Sequence, residues 1–145
     1  MKDEVLKLEN QLCFPLYACS KEVVKLYRPF LDKLGITYTQ YIALMVLWQE
    51  RSMTVKQLGE YLYLDSGTLT PLLKKLEHQG LVERHRSEED ERKVIVSLTK
   101  AGESLKDQAY SVPVKVGKCV PLEQEEAIAL HQLLHKLLGQ LTDSK

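Results

Sequence analysis

The stretch LDSGTLTPLLKKLEHQGLVERHRSEEDERKVIVSLTKAG, residues 64–102, decides the fold. Asp65 or Ser66 can cap a helix that runs to Gly80. Leu69, Leu72, Leu73 and Leu76 recur at helical spacing and define its inward face. The opposite face opens with Ser66, Thr68 and Thr70, small polar residues suited to a major groove. The Thr methyls and Pro71 suit a thymine methyl. Lys74 and Lys75 suit phosphates, which position a protein without specifying sequence. A capped surface helix of this composition occurs on many helical proteins, so the segment beyond Gly80 decides between the two readings.

Beyond Gly80 come Leu81–Arg86, a charged tip Ser87–Arg92, and Lys93–Leu98. Two β-rich runs around a polar tip read as a hairpin. Arg84 and Arg86 alternate with His85 and share one face of the strand. Arg92 and Lys93 close the tip, with four acids, Glu88 to Glu91, between them and Arg86. On a solvated loop these charges cancel. The functional alternative has Asp90 bracing Arg92 for a narrow minor groove. Upstream, Thr54 and Gln57 form a capping-box pattern for a short helix, Val55–Leu62. Two helices joined by a short turn make a helix-turn-helix, and the hairpin adds a wing.

Outside this core the chain is helical. Glu4 to Leu31 reads as one long helix with a start or kink near Pro15. Leu12, Leu16, Cys19, Val23, Leu26 and Phe30 form one stripe, and Cys13, Tyr17, Ser20, Val24, Tyr27 and Leu31 a second. Stripes this wide suggest burial against both the chain's own domain and a partner chain. Gly35 breaks the chain, and Thr39–Gln49 comes next as a helix burying Tyr41, Leu44, Met45, Leu47 and Trp48. Thr99 caps a helix reaching roughly Lys118. Pro121 fits the first turn of a last helix striped by Ala127, Leu130, Leu134, Leu137 and Leu141. The expected architecture is mainly α with a small β-hairpin wing: one domain over 1–145, a DNA lobe over 53–98, and dimerisation helices over 1–36 and 99–145.

Composition narrows the function. The chain has 145 residues, 44% of them hydrophobic, and a formal net charge of zero. Residues 51–100 hold nine Lys/Arg against eight Asp/Glu, so DNA affinity must come from arrangement rather than bulk charge. No apolar run is long enough for a membrane span, and the charged N-terminus is unlike a signal peptide, so a cytoplasmic protein is expected. Cys13, Cys19 and Cys119 are too sparse for a secreted disulfide framework or a zinc site. His131 and His135 have a spacing a metal can use, but no other ligand is evident, and neither metal nor cofactor is expected.

The 64–102 stretch resembles the core of the MarR family of regulators, through the acid-x-Arg tip Asp90-Glu91-Arg92 and the LT-x-x-G helix start Leu98–Gly102. The resemblance implies a winged-helix homodimer on palindromic double-stranded operator DNA, usually as a repressor, and no enzyme. The segment Gln11–Tyr17 around Cys13, with Tyr27 and Tyr38, is similar to the branch that senses organic hydroperoxides. That branch implies Cys13 as the sensor, hydrogen-bonded by Tyr27 and Tyr38. Cys13 has no Lys or Arg beside it in sequence, so tyrosine hydroxyls must stabilise the thiolate.

Tyr27 lies fourteen residues beyond Cys13, about 21 Å along a continuous helix. The two meet only if the tyrosine comes from the partner, with the first helices antiparallel. Cys19, about 9 Å from Cys13 on another face, lies beyond the roughly 7 Å disulfide limit and reads as a small buried hydrophobe. Two-cysteine members imply a partner Cys119 as the resolving thiol; a low-molecular-weight thiol is the other route. A ligand-released regulator with Cys13 incidental, a thiol peroxidase, and a purely helical interaction module are the alternatives.

Overall fold

The computed structural model describes residues 2–143. Eight helices and a three-stranded antiparallel sheet are described: α1 (Lys2–Val5), α2 (Cys13–Asp32), α3 (Tyr38–Glu50), β1 (Ser52–Thr54), α4 (Val55–Leu62), α5 (Ser66–His78), β2 (Val82–Arg86), β3 (Val94–Leu98), α6 (Lys100–Ala109), α7 (Val112–Gly117) and α8 (Gln124–Asp143). The sheet order is β1-β3-β2.

The long first helix expected from Glu4 onward is instead broken. The Asn10 side-chain amide donates to the Glu4 carbonyl at 2.7 Å, and Gln11 donates to Val5 and Lys7, also at 2.7 Å. Side chains therefore take carbonyls that a continuing helix would use, and a short 3-10 turn (Leu8–Asn10) intervenes. Pro15 then falls in the first turn of α2, where its missing N–H costs nothing.

Only Leu31 of α2 is buried. The helix packs on α3 and α7 near its C-terminal end. Its upstream apolar residues, Leu12, Leu16 and Tyr17, are exposed. Cys19, which lies in the stripe expected to face a partner chain, is exposed in the single protomer too.

In α3 a capping box closes the start, with Thr37 and Gln40 bonding reciprocally. Tyr41, Leu44 and Leu47 are buried as expected and Trp48 is half-buried, but Met45 is 44% exposed and faces outward. The box at Thr54 and Gln57 forms as the sequence requires. Tyr63 ends α4 in the left-handed conformation, φ 56°, without help from a glycine. Asp65 caps α5, and Leu69, Leu72, Leu73 and Leu76 are all buried beneath it. The strand β1 has no local signal in the sequence: its three residues carry one buried side chain, Met53, and form a strand only by pairing with Ile95–Ser97 of β3.

The expected helix from Thr99 to Lys118 is divided into α6 and α7. Pro113 cannot donate to the carbonyl four residues back and ends the first helix. Pro121 lies before α8, not in its first turn; Glu123 and Glu126 close that end, with the Glu123 N–H donating to Glu126 Oε1 at 2.9 Å.

One junction ties wing to helices. The Thr99 hydroxyl donates to the Gly80 carbonyl at 2.6 Å and accepts from the Gly102 N–H at 3.1 Å. A Cβ at Gly102 would collide with the Leu81 carbonyl and the Leu98 side chain. The Gly102 carbonyl in turn accepts from Trp48 Nε1 at 2.9 Å. The Leu-Thr-x-x-Gly pattern is thus a close-packing requirement. Gly102→Ala is expected to destabilise the fold by about 1–3 kcal/mol through overpacking. Urea denaturation followed by circular dichroism checks this, with the midpoint falling and the slope unchanged.

Candidate nucleic-acid interface

At the start of α5, Asp65 Oδ1 accepts the Thr68 N–H at 2.8 Å. Bonds from Thr68, the backbone one largest, hold the Asp65 carboxyl below its ordinary range. With the cap fixed, Ser66, Thr68, Pro71 and Lys74 face solvent and Thr70 is half-buried. Pro71 lies inside α5 and has no N–H, so the Gly67 carbonyl lacks its helical donor and stays open as an acceptor.

The three wing arginines have different environments. Arg84 is only 23% exposed, and its guanidinium donates to Glu77 of α5 at 3.0 Å. Its Nε is buried without a partner. This side chain anchors the wing to the helix. Arg86 donates to the Glu91 carbonyl at 2.8 Å across the tip. Arg92 is 90% exposed, and Asp90 grips it at 3.2 and 3.3 Å while also accepting its backbone N–H at 3.1 Å. The brace expected between Asp90 and Arg92 is therefore present. Lys93 projects into solvent beside it, its N–H bonded to the Asp90 carbonyl at 3.0 Å. The Arg92 side-chain bond, then its backbone bond, pull the Asp90 carboxyl below its usual value.

Sequence reasoning missed Glu77, the acid that holds Arg84. It lies seven residues away on another element, and no local pattern links the two.

The candidate sensor residues fall in two places. Cys13 is exposed at the first residue of α2. Tyr27 and Tyr38 meet edge to face, their ring centroids 4.9 Å apart. Tyr41, which the sequence marks only as core, completes the cluster at 5.8 and 6.3 Å. Burial first, and Tyr27 second, push the Tyr38 hydroxyl above its ordinary pKa. Because α2 is continuous from Cys13 to Asp32, the thiol and Tyr27 of one chain are about 21 Å apart along it. Cys119, just past α7, is exposed, and its thiol faces the Lys115 carbonyl at 3.5 Å. His131 and His135 approach to 3.1 Å between Nε2 atoms, and no group of three or more metal-ligating side chains occurs among the described residues. Among them, no helix is long and apolar enough to cross a membrane.

A half-open helix start beside a braced arginine wing defines a winged helix-turn-helix DNA-binding protein. The pattern of the family described as "Transcriptional regulator SarA/Rot" matches residues 25–109. The organic hydroperoxide resistance transcriptional regulator of Bacillus subtilis is 55% identical over 143 residues, covering 97% of this chain and 95% of that one. Reduced AbfR bound to DNA superposes with a TM-score of 0.82 at 36% identity, over 99% of this chain and 98% of that chain. Disulfide-formed AbfR superposes with a TM-score of 0.63 at 37% identity, over 99% and 97% of the chains. The chain belongs to this SarA/Rot, MarR-type family of DNA-binding transcriptional regulators, in its organic-hydroperoxide branch.

Asp65, Glu77 and Asp90 all have depressed carboxyl pKa values, each chiefly through a hydrogen bond. A depressed group contributes stability above its unfolded pKa and loses it as pH falls through the folded value. The lobe is therefore expected to keep its melting temperature from neutral pH down to about 5 and to show a small decline below about 4, small because all three carboxyls are solvent-screened. Thermal unfolding against pH checks this, with Glu77→Gln, whose partner Arg84 is 23% exposed, flattening the acid limb more than Asp90→Asn, whose partner Arg92 is 90% exposed.

Proposed function

We propose that the protein works as a homodimer that represses transcription from a palindromic operator and leaves it when Cys13 is oxidised by an organic hydroperoxide. The observation that carries this is the split sensor: Cys13 sits open at one end of α2, and the Tyr27–Tyr38 pair sits near the other. Two copies of α2 running antiparallel bring each thiol to the partner's tyrosines. The uncovered apolar faces support such pairing. Leu130, Leu134, Leu137 and Leu141 of α8 are 46%, 39%, 40% and 60% exposed, a patch of the kind that marks an interface. In this reading segments 1–36 and 99–145 act as the dimerisation lobe and 53–98 as the DNA lobe.

On DNA, the two α5 starts enter major grooves about 34 Å apart. Ser66, Thr68, Thr70 and Pro71 face base edges, and Lys74 faces phosphate. Arg92, held by Asp90, enters the minor groove with Lys93 beside it, while Arg86 stiffens the tip and Arg84 fixes the wing's base.

For the switch, the Cys13 thiolate attacks one peroxide oxygen. The O–O bond breaks, an S–O bond forms, and the alcohol leaves with a proton. Sulfur loses two electrons and becomes a sulfenic acid. A thiolate, from Cys119 of the partner subunit or from a small thiol, then attacks that sulfur, and water leaves as the disulfide forms. The chain superposes better on reduced, DNA-bound AbfR than on disulfide-formed AbfR, 0.82 against 0.63, which supports reading its conformation as nearer the reduced form than the disulfide form.

A second reading keeps the DNA output and replaces the signal. A cleft of about 390 Å³, lined by Tyr41, Met45, Trp48, Lys106, Tyr110 and Pro113, has the walls and the single cation suited to an aromatic acid.

Fluorescence anisotropy on a duplex selected by the reduced protein tests the proposal. Cumene hydroperoxide is expected to release wild type and to leave Cys13→Ser bound. Release of Cys13→Ser would refute the sensor assignment, and indifference of wild type with release by an aromatic acid would favour the second reading. Arg92→Ala is expected to weaken binding and reduce the salt slope by about one.

A further inference from the structure

Gln40 is 4% exposed and is the buried polar residue of the described core. Its Oε1 accepts the Thr37 N–H at 2.9 Å, so its amide must face outward as a donor. That Nε2 donates to Gln79 Oε1 at 2.9 Å. Gln79 is then left to donate, and its Nε2 reaches the Gly35 carbonyl at 2.8 Å. The relay has one direction. Turning either amide would set donor against donor, and a buried amide left unpaired is costly.

The two ends of this relay belong to different parts of the molecule. Gly35 and Thr37 form the turn between α2 and α3, and Thr37 directly precedes Tyr38, which packs on Tyr27. Gln79 is the C-cap of α5, its backbone N–H bonded to the Lys75 carbonyl at 2.9 Å. Lys74 and Lys75, on the helix's outer face, precede it by one turn. The α2–α3 turn and the start of α3, which carries Tyr38, are therefore joined to the C-terminal end of α5 by two side-chain hydrogen bonds across a separation of 39 and 44 residues.

We propose that Gln40 and Gln79 are the positioning residues that transmit a change at the tyrosine pair to the recognition helix. The proposal rests on the redox reading above. When the tyrosines rearrange around an oxidised Cys13, the Gly35–Thr37 turn shifts, and the relay carries the C-terminal end of α5 with it. Coupling is an equilibrium quantity between two sites, so removing the link lowers the ratio of reduced to oxidised affinity rather than affinity itself.

The test uses full-length Gln79→Leu, an exposed substitution close in size, with Gln49→Leu as a control. Gln49 is exposed, and its side-chain amide donates to the neighbouring Glu50 at 3.3 Å. Each protein is measured reduced and after cumene hydroperoxide, with Cys13 oxidation scored by intact mass. Gln79→Leu is expected to bind the selected duplex when reduced, to oxidise fully, and to show a reduced-to-oxidised affinity ratio smaller by about fivefold or more than wild type and Gln49→Leu. Amide exchange supplies a second readout: oxidation is expected to alter exchange over residues 75–81 in wild type and not in Gln79→Leu. A wild-type ratio in fully oxidised Gln79→Leu overturns the relay and leaves the redox reading standing. Failure of wild type to release when fully oxidised overturns the redox reading itself, and the relay's role with it.

Discussion

Leu73 and Leu76 have no solvent exposure, and Leu69 has almost none. Their burial fixes the rotation of α5 about its own axis, and the rest of the DNA face depends on it. A helix whose inner leucines are locked must turn Ser66, Thr68, Pro71 and Lys74 outward. The same helix provides Glu77 for Arg84 and ends at Gln79 and Gly80, where the wing and the α2–α3 turn both attach. Packing on one side thus positions chemistry on the other, because a close-packed interior resists small displacements.

A chain of zero net charge can still place individual cations at chosen points, by sorting its pairs. Glu77 neutralises Arg84 where a charge serves to anchor. Asp90 holds Arg92 from one side only and leaves the guanidinium 90% exposed. Exposed ion pairs contribute little to stability, so the value of this one is directional. It limits the rotamers of a long side chain before any ligand arrives, which reduces the ordering cost of binding.

The same sorting applies to apolar surface. The core gathers beneath α3, α5 and the sheet, while the first half of α2 and nearly all described side chains of α8 stay uncovered. Two long helices with open leucines are unsuited to a solitary protomer. They also carry Cys13 and border Cys119, so covering them and completing the sensor are one event in the proposed dimer.

Local signals in the sequence were enough for the elements that depend on neighbours a few residues away. The capping box at Thr54, the caps at Asp65 and Thr99, the leucine spacing of α5 and the hairpin of β2 and β3 were all legible, because helix ends and amphipathic periods are short-range physics. The acid-brace at Asp90 was legible for the same reason, two residues from Arg92. Tertiary contact decided what depends on distant residues. It made Ser52–Thr54 a strand through β3, divided the chain's arginines into anchor and probe through Glu77, drew Tyr41 into the tyrosine cluster, and tied Gln40 to Gln79. It also left Met45 and Cys19 in the open, since periodicity identifies an apolar face but only the packed fold determines what covers it.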